Sequence, residues 1–383
     1  MPMSTGARAL YVALVVVVCV VFFFERSHKK AQADLPSPAP PGAYRQRLVA
    51  VGDLHGVLQM AGIIDDKHHW KAGSDILVQT GDEIDRGTYA LDIYKLFQRL
   101  RTEADVAGGR VVSILGNHEF MNALGDWRYV TNADIKHWGG YKQRIADMES
   151  TGWLGAEWLA NYSVAAKVSM SPYDVSPSYS FSHGSLSPYF PFLTPFPQKI
   201  NELGHSLLER ALTPPMAKPH PPNQYEGLPK GTTPEEAELY SQRGPLWARG
   251  LAQSPDEKQV CKQANTIRDK IGVRRIIGGH TPNFEHIVSR CNGDVIVIDT
   301  GISYAYGGVL SALEIIYTLD PVKDGGEMLA GQRPFVVGGA AADVEGLGVL
   351  VKGKEYHERE EVFAIYEHRK QRLADEKRTV TLS

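Results

Sequence analysis

Short apolar runs that each end in a glycine recur along the first part of the chain. They are RLVAVG (residues 47–52), DILVQTG (75–81) and RVVSILG (110–116). The segment between the second and third runs is amphipathic, because Leu91, Tyr94, Phe97 and Leu100 recur every three residues on one helical face. Strands that alternate with helices predict βαβ units with a buried parallel sheet, and therefore an α/β fold.

Further apolar runs follow in the second part of the chain. SYSFSHG (178–184), RRIIGGH (274–280), VIVIDTG (295–301) and residues 310–317 have the length and composition of strands. Two insertions interrupt this pattern. The insertion near 120–178 has a helical pattern and many aromatic residues. The insertion near 186–245 is rich in proline in its first part, and we predict that it lies over the surface. We predict one domain over 45–365, followed by a charged, solvated tail over 366–383 that lacks an apolar stripe.

Residues 9–24 form an uncharged, mostly apolar segment, and a proline-rich linker over 31–44 separates it from the domain. A membrane-spanning helix needs about 17 to 25 such residues, so this segment is at the short end. A cleaved signal peptide is the alternative, for which Ala31-Gln32-Ala33 offers a cleavage site. Because charged residues separate that site from the apolar segment, we favour an uncleaved single-pass membrane anchor.

The orientation of this anchor has two competing indications. Positive charges are more numerous after the segment than before it, which favours a cytosolic domain. Asn161 begins the glycosylation sequon N-Y-S, and Cys261 and Cys291 lie outside the segment, which favours the secretory lumen. We expect the luminal orientation and keep the cytosolic one as the alternative.

The composition and the missing motifs argue against several function classes. A formal net charge of -3 over 383 residues gives no basis for nucleic-acid binding. The chain contains no G-x-x-x-x-G-K-[ST] loop, so a kinase or ATPase lacks support. Thiol-based phosphatases need an arginine six residues after the cysteine, and Cys261 and Cys291 are followed there by Ile267 and Val297.

Polar residues gather where the predicted strands end. GDLHG (52–56), GDEIDRG (81–87) and GNHE (116–119) follow the first three runs, and His183 and His280 follow two later ones. Ligands of open α/β sheets bind at the carboxyl ends of the strands. Carboxylate, imidazole and amide oxygen ligands suit hard or borderline divalent metals. A single such residue could be a turn former, but the whole set predicts a metal site in which Asp82 bridges two ions.

In their order, GDLHG, GDEIDRG, GNHE, HGSLSP and GGHTP resemble the motifs of calcineurin-like metallophosphoesterases. Within that group the chain is most similar to the phosphoprotein phosphatase superfamily and its Shewanella-like branch, over residues 48–299. The resemblance implies the metallophosphoesterase fold, a two-layered β-sandwich flanked by helices. It also implies hydrolysis of phosphomonoesters, phosphoproteins included. The SAPNY-like motif of the large serine/threonine phosphatases is replaced by IDTGIS, which puts serine/threonine substrates in doubt.

The resemblance also implies ligands for two metal ions. Mn, Fe or Zn could occupy these two metal sites. Asp53 and His55 would hold the first ion and Asp82 would bridge to the second. The remaining ligands of the second ion would be Asn117, His183 and His280. A hydroxide between the ions would attack phosphorus directly, with no covalent enzyme intermediate.

Four further residues match catalytic positions of the family. His118 would be the general acid that protonates the leaving group, with Asp85 orienting it. Arg86 would bind the phosphate, and Arg249 in GPLWARG is our candidate for a second phosphate-binding arginine. The expected activity is that of a protein phosphatase, with a small-molecule phosphoesterase acting on nucleotides or sugar phosphates as the alternative. A membrane-tethered scaffold with a structural metal site ranks last, because it has no need of His118, Asp85 and Arg86 together.

Overall fold

The computed structural model describes residues 43–52, 57–303, 305–322 and 350–382. The predicted anchor at 9–24, most of the predicted linker and the predicted ligands Asp53 and His55 lie outside the described residues. Within the described ranges, no helix combines the length and the apolar character needed to cross a membrane. Tyr44, the last residue of the predicted linker, already begins the first strand.

The strands form two sheets. They are β1 Tyr44–Val51, β2 Ile76–Gln79, β3 Arg110–Ile114, β4 Tyr162–Ser163, β5 Ala165–Ser169, β6 Ser178–Ser182, β7 Arg275–Gly278, β8 Val288–Arg290, β9 Val295–Val297, β10 Ser311–Pro321, β11 Glu355–Tyr366 and β12 Lys370–Thr381. The larger sheet has the order β12-β11-β10-β1-β2-β3-β4, and the smaller has β5-β6-β7-β9-β8. Strands β1, β2 and β3 run parallel to one another, and so do β6, β7 and β9. The glycine-ended runs therefore predicted the strands that lead into the site.

Helices connect the strands and pack around the sheets. They are α1 Val57–Met60, α2 Ala90–Val106, α3 Asn117–Ala123, α4 Asn132–His137, α5 Tyr141–Met148, α6 Trp153–Asn161, α7 Gln198–Leu212, α8 Pro234–Tyr240, α9 Gly250–Gln253 and α10 Glu257–Ile271. Helix α2 is the amphipathic helix predicted from its three-residue spacing, and it buries Tyr94, Phe97 and Leu100.

Helix α7 lies in the proline-rich insertion, for which we predicted no helix. It buries Ile200, Leu203, Leu207 and Leu208 in the same cluster as Trp158. This part of the insertion is therefore packed into the core, and the expectation that it lies over the surface is wrong for these residues.

The apolar side chains form layers on both faces of the larger sheet. Between the two sheets, Leu48 and Ile315 share a cluster with Phe181 and Ile277 of the smaller sheet. On the other face, Leu77 belongs to a cluster with residues of α1 and α2. The fold is thus α/β, with two stacked sheets and flanking helices, which is the architecture that the resemblance implied.

The C-terminal residues differ from the prediction. Residues 366–383 were expected to be a solvated tail, yet β12 pairs with β11 antiparallel along its length. Arg359 donates to Asp375 across this pair at 3.1 Å, and Arg378 pairs with Glu358. An exposed edge strand needs no apolar stripe, because backbone hydrogen bonds and opposite charges on facing residues hold it. The prediction of a tail was therefore wrong.

A disulfide joins Cys261 of α10 to Cys291, which follows β8, with Cα atoms 5.4 Å apart. The sequence had left open whether these two cysteines pair. The bond fastens a helix to the edge of the smaller sheet.

Candidate active site

The loop after β2 places three predicted site residues in a conformation that L-amino acids rarely adopt. Asp82, Asp85 and Arg86 have φ angles of 60°, 77° and 57°, and His280 after β7 has a φ of 64°. These left-handed turns direct the side chains into one cavity of about 1080 Å³, which all four residues line. Local backbone strain of this kind persists where the surrounding structure fixes it.

A buried glutamate fixes the loop against the start of α3. Glu119 accepts hydrogen bonds from the backbone nitrogens of Asp82 at 3.0 Å, Glu83 at 2.9 Å and Gly116 at 2.6 Å. Gly116 is needed here for space, because a Cβ atom at this position would lie 2.1 Å from Oδ1 of Asp82. The loops after β2 and β3 can therefore approach this closely only with glycine at position 116.

Four predicted metal ligands converge around the ring of His183. Its Nδ1 lies 2.8 Å from the carbonyl oxygen of Thr80, which can only accept, so Nδ1 carries the proton. Its Nε2 faces Oδ1 of Asn117 at 2.9 Å, Nδ1 of His280 at 3.0 Å and Oδ2 of Asp82 at 3.2 Å. The ligand atoms of Asp82, His183 and His280 lie close enough together to hold one metal ion.

The electrostatics of these groups favour a cation at the same point. Burial opposes charge on Asp82, yet the imidazoles of His183 and His118 hold its pKa well below the usual range. Burial lowers the pKa of His183, but the Asp82 carboxylate raises it to about 9, so this position attracts positive charge. Burial and the neighbouring His183 lower the pKa of His280 to about 3, which leaves a neutral imidazole as a ligand requires. The donor set and the charge both fit a divalent metal ion.

His118 and Asp85 form a buried pair beside this cluster. Nδ1 of His118 lies 2.6 Å from Oδ2 of Asp85, and the two side chains are 3% and 0% exposed. The backbone nitrogen of His118 also donates to Asp82 Oδ1 at 3.0 Å. Although burial lowers it, the carboxylates of Asp82 and Asp85 raise the pKa of His118 above its usual value.

Two arginines line the same cavity. The Arg86 guanidinium lies between the rings of Tyr129 and Tyr306, 4.6 Å and 4.8 Å from their centroids. Arg249 donates from Nη1 to the backbone carbonyl of His280 at 2.6 Å. The cavity therefore combines an anionic ligand cluster with two guanidinium groups, a combination suited to an anion that also binds metal.

The cavity contains residues that the sequence did not assign. Asp299 follows β9 and lines it, with Oδ1 accepting from the backbone nitrogen of Gly301 at 2.9 Å. Burial raises the pKa of Asp299. Its only sequence signal was its place after a strand. The aromatic lining includes Tyr129 and Trp247, whereas Trp158 is buried in the core.

The comparisons with known proteins agree with the motifs. The sequence profile of the calcineurin-like phosphoesterase family matches residues 46–284. An uncharacterized protein of Schizosaccharomyces pombe is 37% identical over 284 residues, which are 71% of this chain and 78% of that protein. Shewanella-like protein phosphatase 1 of Plasmodium berghei is 25% identical over 323 residues, 77% of this chain and 82% of that protein.

A solved structure shares the fold. The cold-active protein-tyrosine phosphatase of a psychrophilic Shewanella species superposes with a TM-score of 0.55 at 22% identity, covering 71% of this chain and 77% of that one. The resemblance inferred from the ordered motifs is therefore confirmed for the fold and the relatives.

Proposed function

Because the chain belongs to the calcineurin-like phosphoesterase family and is a phosphoesterase, we propose that it is a metal-dependent phosphomonoesterase that acts on phosphoproteins. The observation that carries this proposal is the convergence of Asp82, Asn117, His183 and His280 next to the buried His118–Asp85 pair. A group of metal ligands alone could be structural. Metal ligands beside a histidine acid and two arginines have the arrangement that phosphate ester hydrolysis needs.

Two metal ions are proposed. Asp82, Asn117, His183 and His280 would hold one ion, and Asp82 would bridge to a second ion held by Asp53 and His55. The ligand types suit Mn, Fe or Zn. Bound ions of this kind lower the pKa of water, and so supply a nucleophile at neutral pH without a covalent enzyme intermediate.

The protein's own groups complete the reaction. Arg86 and Arg249 offer guanidinium groups to the phosphoryl oxygens, where a planar fork can bind two oxygens at once. Nδ1 of His118 is engaged by Asp85, so Nε2 of the protonated ring would carry the proton on the cavity side. That proton is available to the departing alkoxide or phenolate of the substrate.

The breadth of the cavity supports a macromolecular substrate. Its lining extends beyond the ligand cluster to exposed aromatic side chains, among them Tyr89, which is 57% exposed, and Tyr306, which is 36% exposed. Exposed aromatic side chains at a rim provide contact area for peptide side chains next to the phosphorylated residue.

The test is a substrate panel with the full-length protein. Phosphoserine, phosphothreonine and phosphotyrosine peptides are compared with nucleotides and sugar phosphates by their kcat/KM. We expect phosphate release from peptides that is lost with a chelator and restored by Mn²⁺, Fe²⁺ or Zn²⁺. Higher kcat/KM for nucleotides would instead identify a small-molecule phosphoesterase, and metal-independent turnover would overturn the proposal.

We also propose that the domain lies in the secretory lumen. The Cys261–Cys291 disulfide supports this location, because such bonds persist in oxidising compartments. Asn161, the sequon residue, is exposed at the end of α6 and so accessible for glycosylation. The membrane anchor itself remains a prediction from residues 9–24.

A further inference from the structure

We propose that Arg144 is a positioning residue for the catalytic acid, holding Asp85, and through it the ring of His118, in the orientation that delivers a proton to the leaving group. This inference rests on the proposed function, in which His118 is that acid. No motif of the sequence pointed to Arg144, which lies on α5 in the first insertion.

Arg144 is fixed firmly in place by its surroundings. The residue is 0% exposed, and its guanidinium lies 4.4 Å from the ring centroid of Trp127 and 5.1 Å from that of Trp138. Its Nε donates to Oδ2 of Asp134 at 3.1 Å, and its Nη1 donates to Oδ1 of Asn122 at 2.8 Å. Two neighbouring rings and two hydrogen bonds therefore restrain the orientation of this side chain.

The remaining nitrogen of Arg144 faces Asp85. Its Nη2 lies 4.0 Å from Oδ1 of Asp85, and both atoms are buried without a hydrogen-bond partner among the described residues. The other oxygen of the same carboxylate binds Nδ1 of His118 at 2.6 Å. A buried carboxylate is costly unless a positive group compensates it, so the fixed guanidinium favours the one orientation of Asp85 that points Oδ1 inward and Oδ2 toward His118.

A second connection reaches the backbone of His118. Asn122 accepts from Arg144 through Oδ1 and donates through Nδ2 to the carbonyl oxygen of His118 at 2.9 Å. Arg144 thus faces one member of the acid pair across 4.0 Å and reaches the other through a single side chain. The contacts run from a helix of the insertion to the loop after β2 and to α3.

A purely structural role for Arg144 is the competing explanation, since its pair with Asp134 alone could justify burial. The two roles differ in their effect on substrates. Loss of core packing slows all substrates equally, whereas loss of acid positioning slows those whose leaving group needs a proton. An alkyl phosphate depends on the acid far more than p-nitrophenyl phosphate does.

The experiment compares Arg144→Met and Arg144→Lys with Arg101→Met in the full-length protein. Arg101 is a matched control, because it also pairs with a carboxylate, Glu157 at 3.1 Å, and lies over a ring, that of Tyr162, outside the cavity lining. The measured quantities are kcat/KM for a phosphoserine peptide and for p-nitrophenyl phosphate, and the low-field proton resonance of the His118 Nδ1–H, assigned by its loss in His118→Asn.

We expect Arg144→Met to lower kcat/KM for the phosphoserine peptide about 10-fold more than for p-nitrophenyl phosphate, a part of the ~10²-fold or larger effect of general acid catalysis. Arg144→Lys retains the charge and should restore part of that ratio. The Nδ1–H resonance should weaken in Arg144→Met and persist in Arg101→Met. If Arg144→Met does not fold, the test rests on Arg144→Lys. Its ratio of the two kcat/KM values and its Nδ1–H resonance are then compared with those of Arg101→Met.

Equal losses on both substrates, or an unchanged resonance in the Arg144 variants, would overturn the positioning role. Failure of the proposed function looks different: wild-type protein would hydrolyse neither substrate. In that case the resonance alone still decides whether Arg144 orders the His118–Asp85 pair.

Discussion

His118 presents Nδ1 to Oδ2 of Asp85 at 2.6 Å, with both side chains buried. This contact orients the imidazole ring so that Nδ1 faces Asp85 and Nε2 is left for proton transfer to the substrate. Nε2 of His118 lies 3.9 Å from Oδ2 of Asp82, at the edge of the ligand cluster. The proposed acid and the proposed metal ligands are therefore neighbours, and substitutions can distinguish their proposed roles.

Substitution of the acid should discriminate between leaving groups. We expect His118→Asn to slow a phosphoserine peptide by about 10² to 10⁴ and p-nitrophenyl phosphate much less, because only the alkoxide needs the proton. Steady-state kinetics with both substrates measure this. Metal content should match wild type, and a variant that loses its metal would show that His118 is a ligand instead.

Substitution of the bridging carboxylate should remove metal. Asp82→Asn takes away the negative charge that faces His183 and His280, so we expect reduced metal content and loss of turnover. Elemental analysis of the purified protein measures the content. Asp92→Asn, on the exposed face of α2, is the matched control and should retain both metal and activity. Retention of full metal content by Asp82→Asn would contradict the assigned role.

One methyl group should disturb the site. A Cβ at Gly116 would lie 2.1 Å from Oδ1 of Asp82, so Gly116→Ala should displace that carboxylate and lower both metal content and kcat. Gly250→Ala is the control, since a Cβ there meets nothing within 4 Å. Similar metal content and rates in the two variants would mean that the loops relax without cost.

The tyrosine beside Arg86 should affect phosphate affinity. The Tyr129 ring lies 4.6 Å from the Arg86 guanidinium, and such a contact is worth about 0.5 to 2 kcal/mol. We expect Tyr129→Leu to raise the inhibition constant of orthophosphate by roughly 2- to 30-fold. Tyr129→Phe keeps the ring and should change this inhibition constant little. Inhibition by phosphate is the measurement, because Tyr129 also contacts His118 and could alter kcat. Equal constants for the two variants would exclude orientation by the ring.

Glycosylation should report the compartment. In a eukaryotic host that secretes or retains the protein in its lumen, Asn161 should carry a glycan, because it is exposed at the end of α6. We expect a glycosidase to increase electrophoretic mobility, and Asn161→Gln to abolish that shift. Full protease sensitivity of the domain in intact microsomes would instead place it in the cytosol.

The apolar patterns of the sequence predicted the central strands of this fold. The apolar runs before Gly52, Gly81 and Gly116 became β1, β2 and β3, because strands buried on both faces are continuously apolar. The residues that follow Gly81 and Gly116 are brought together by the parallel pairing of β2 and β3, so their order in the chain indicated that they meet in space.

The features that sequence reasoning missed depend on contacts that neither apolar periodicity nor a motif indicates. Strand β12 is held by charges that face it from β11, which no apolar periodicity reveals. Arg144 gains its role from Asp85, 59 residues earlier, through a contact that only the fold creates. Asp299 enters the cavity because β9 lies beside β7, and its loop resembles no assigned motif.

The left-handed residues of the site set a trade-off between durability and activity. Asp82, Asp85, Arg86 and His280 each keep a backbone conformation that costs an L-residue about 1 kcal/mol or more. The substitutions Asp85→Gly and Arg86→Gly would remove this conformational cost, because glycine adopts positive φ angles readily. They would also remove the side chain on which the proposed function depends. Selection for heat resistance alone would therefore tend to erode this loop, and the most durable forms of the molecule would be among its least active.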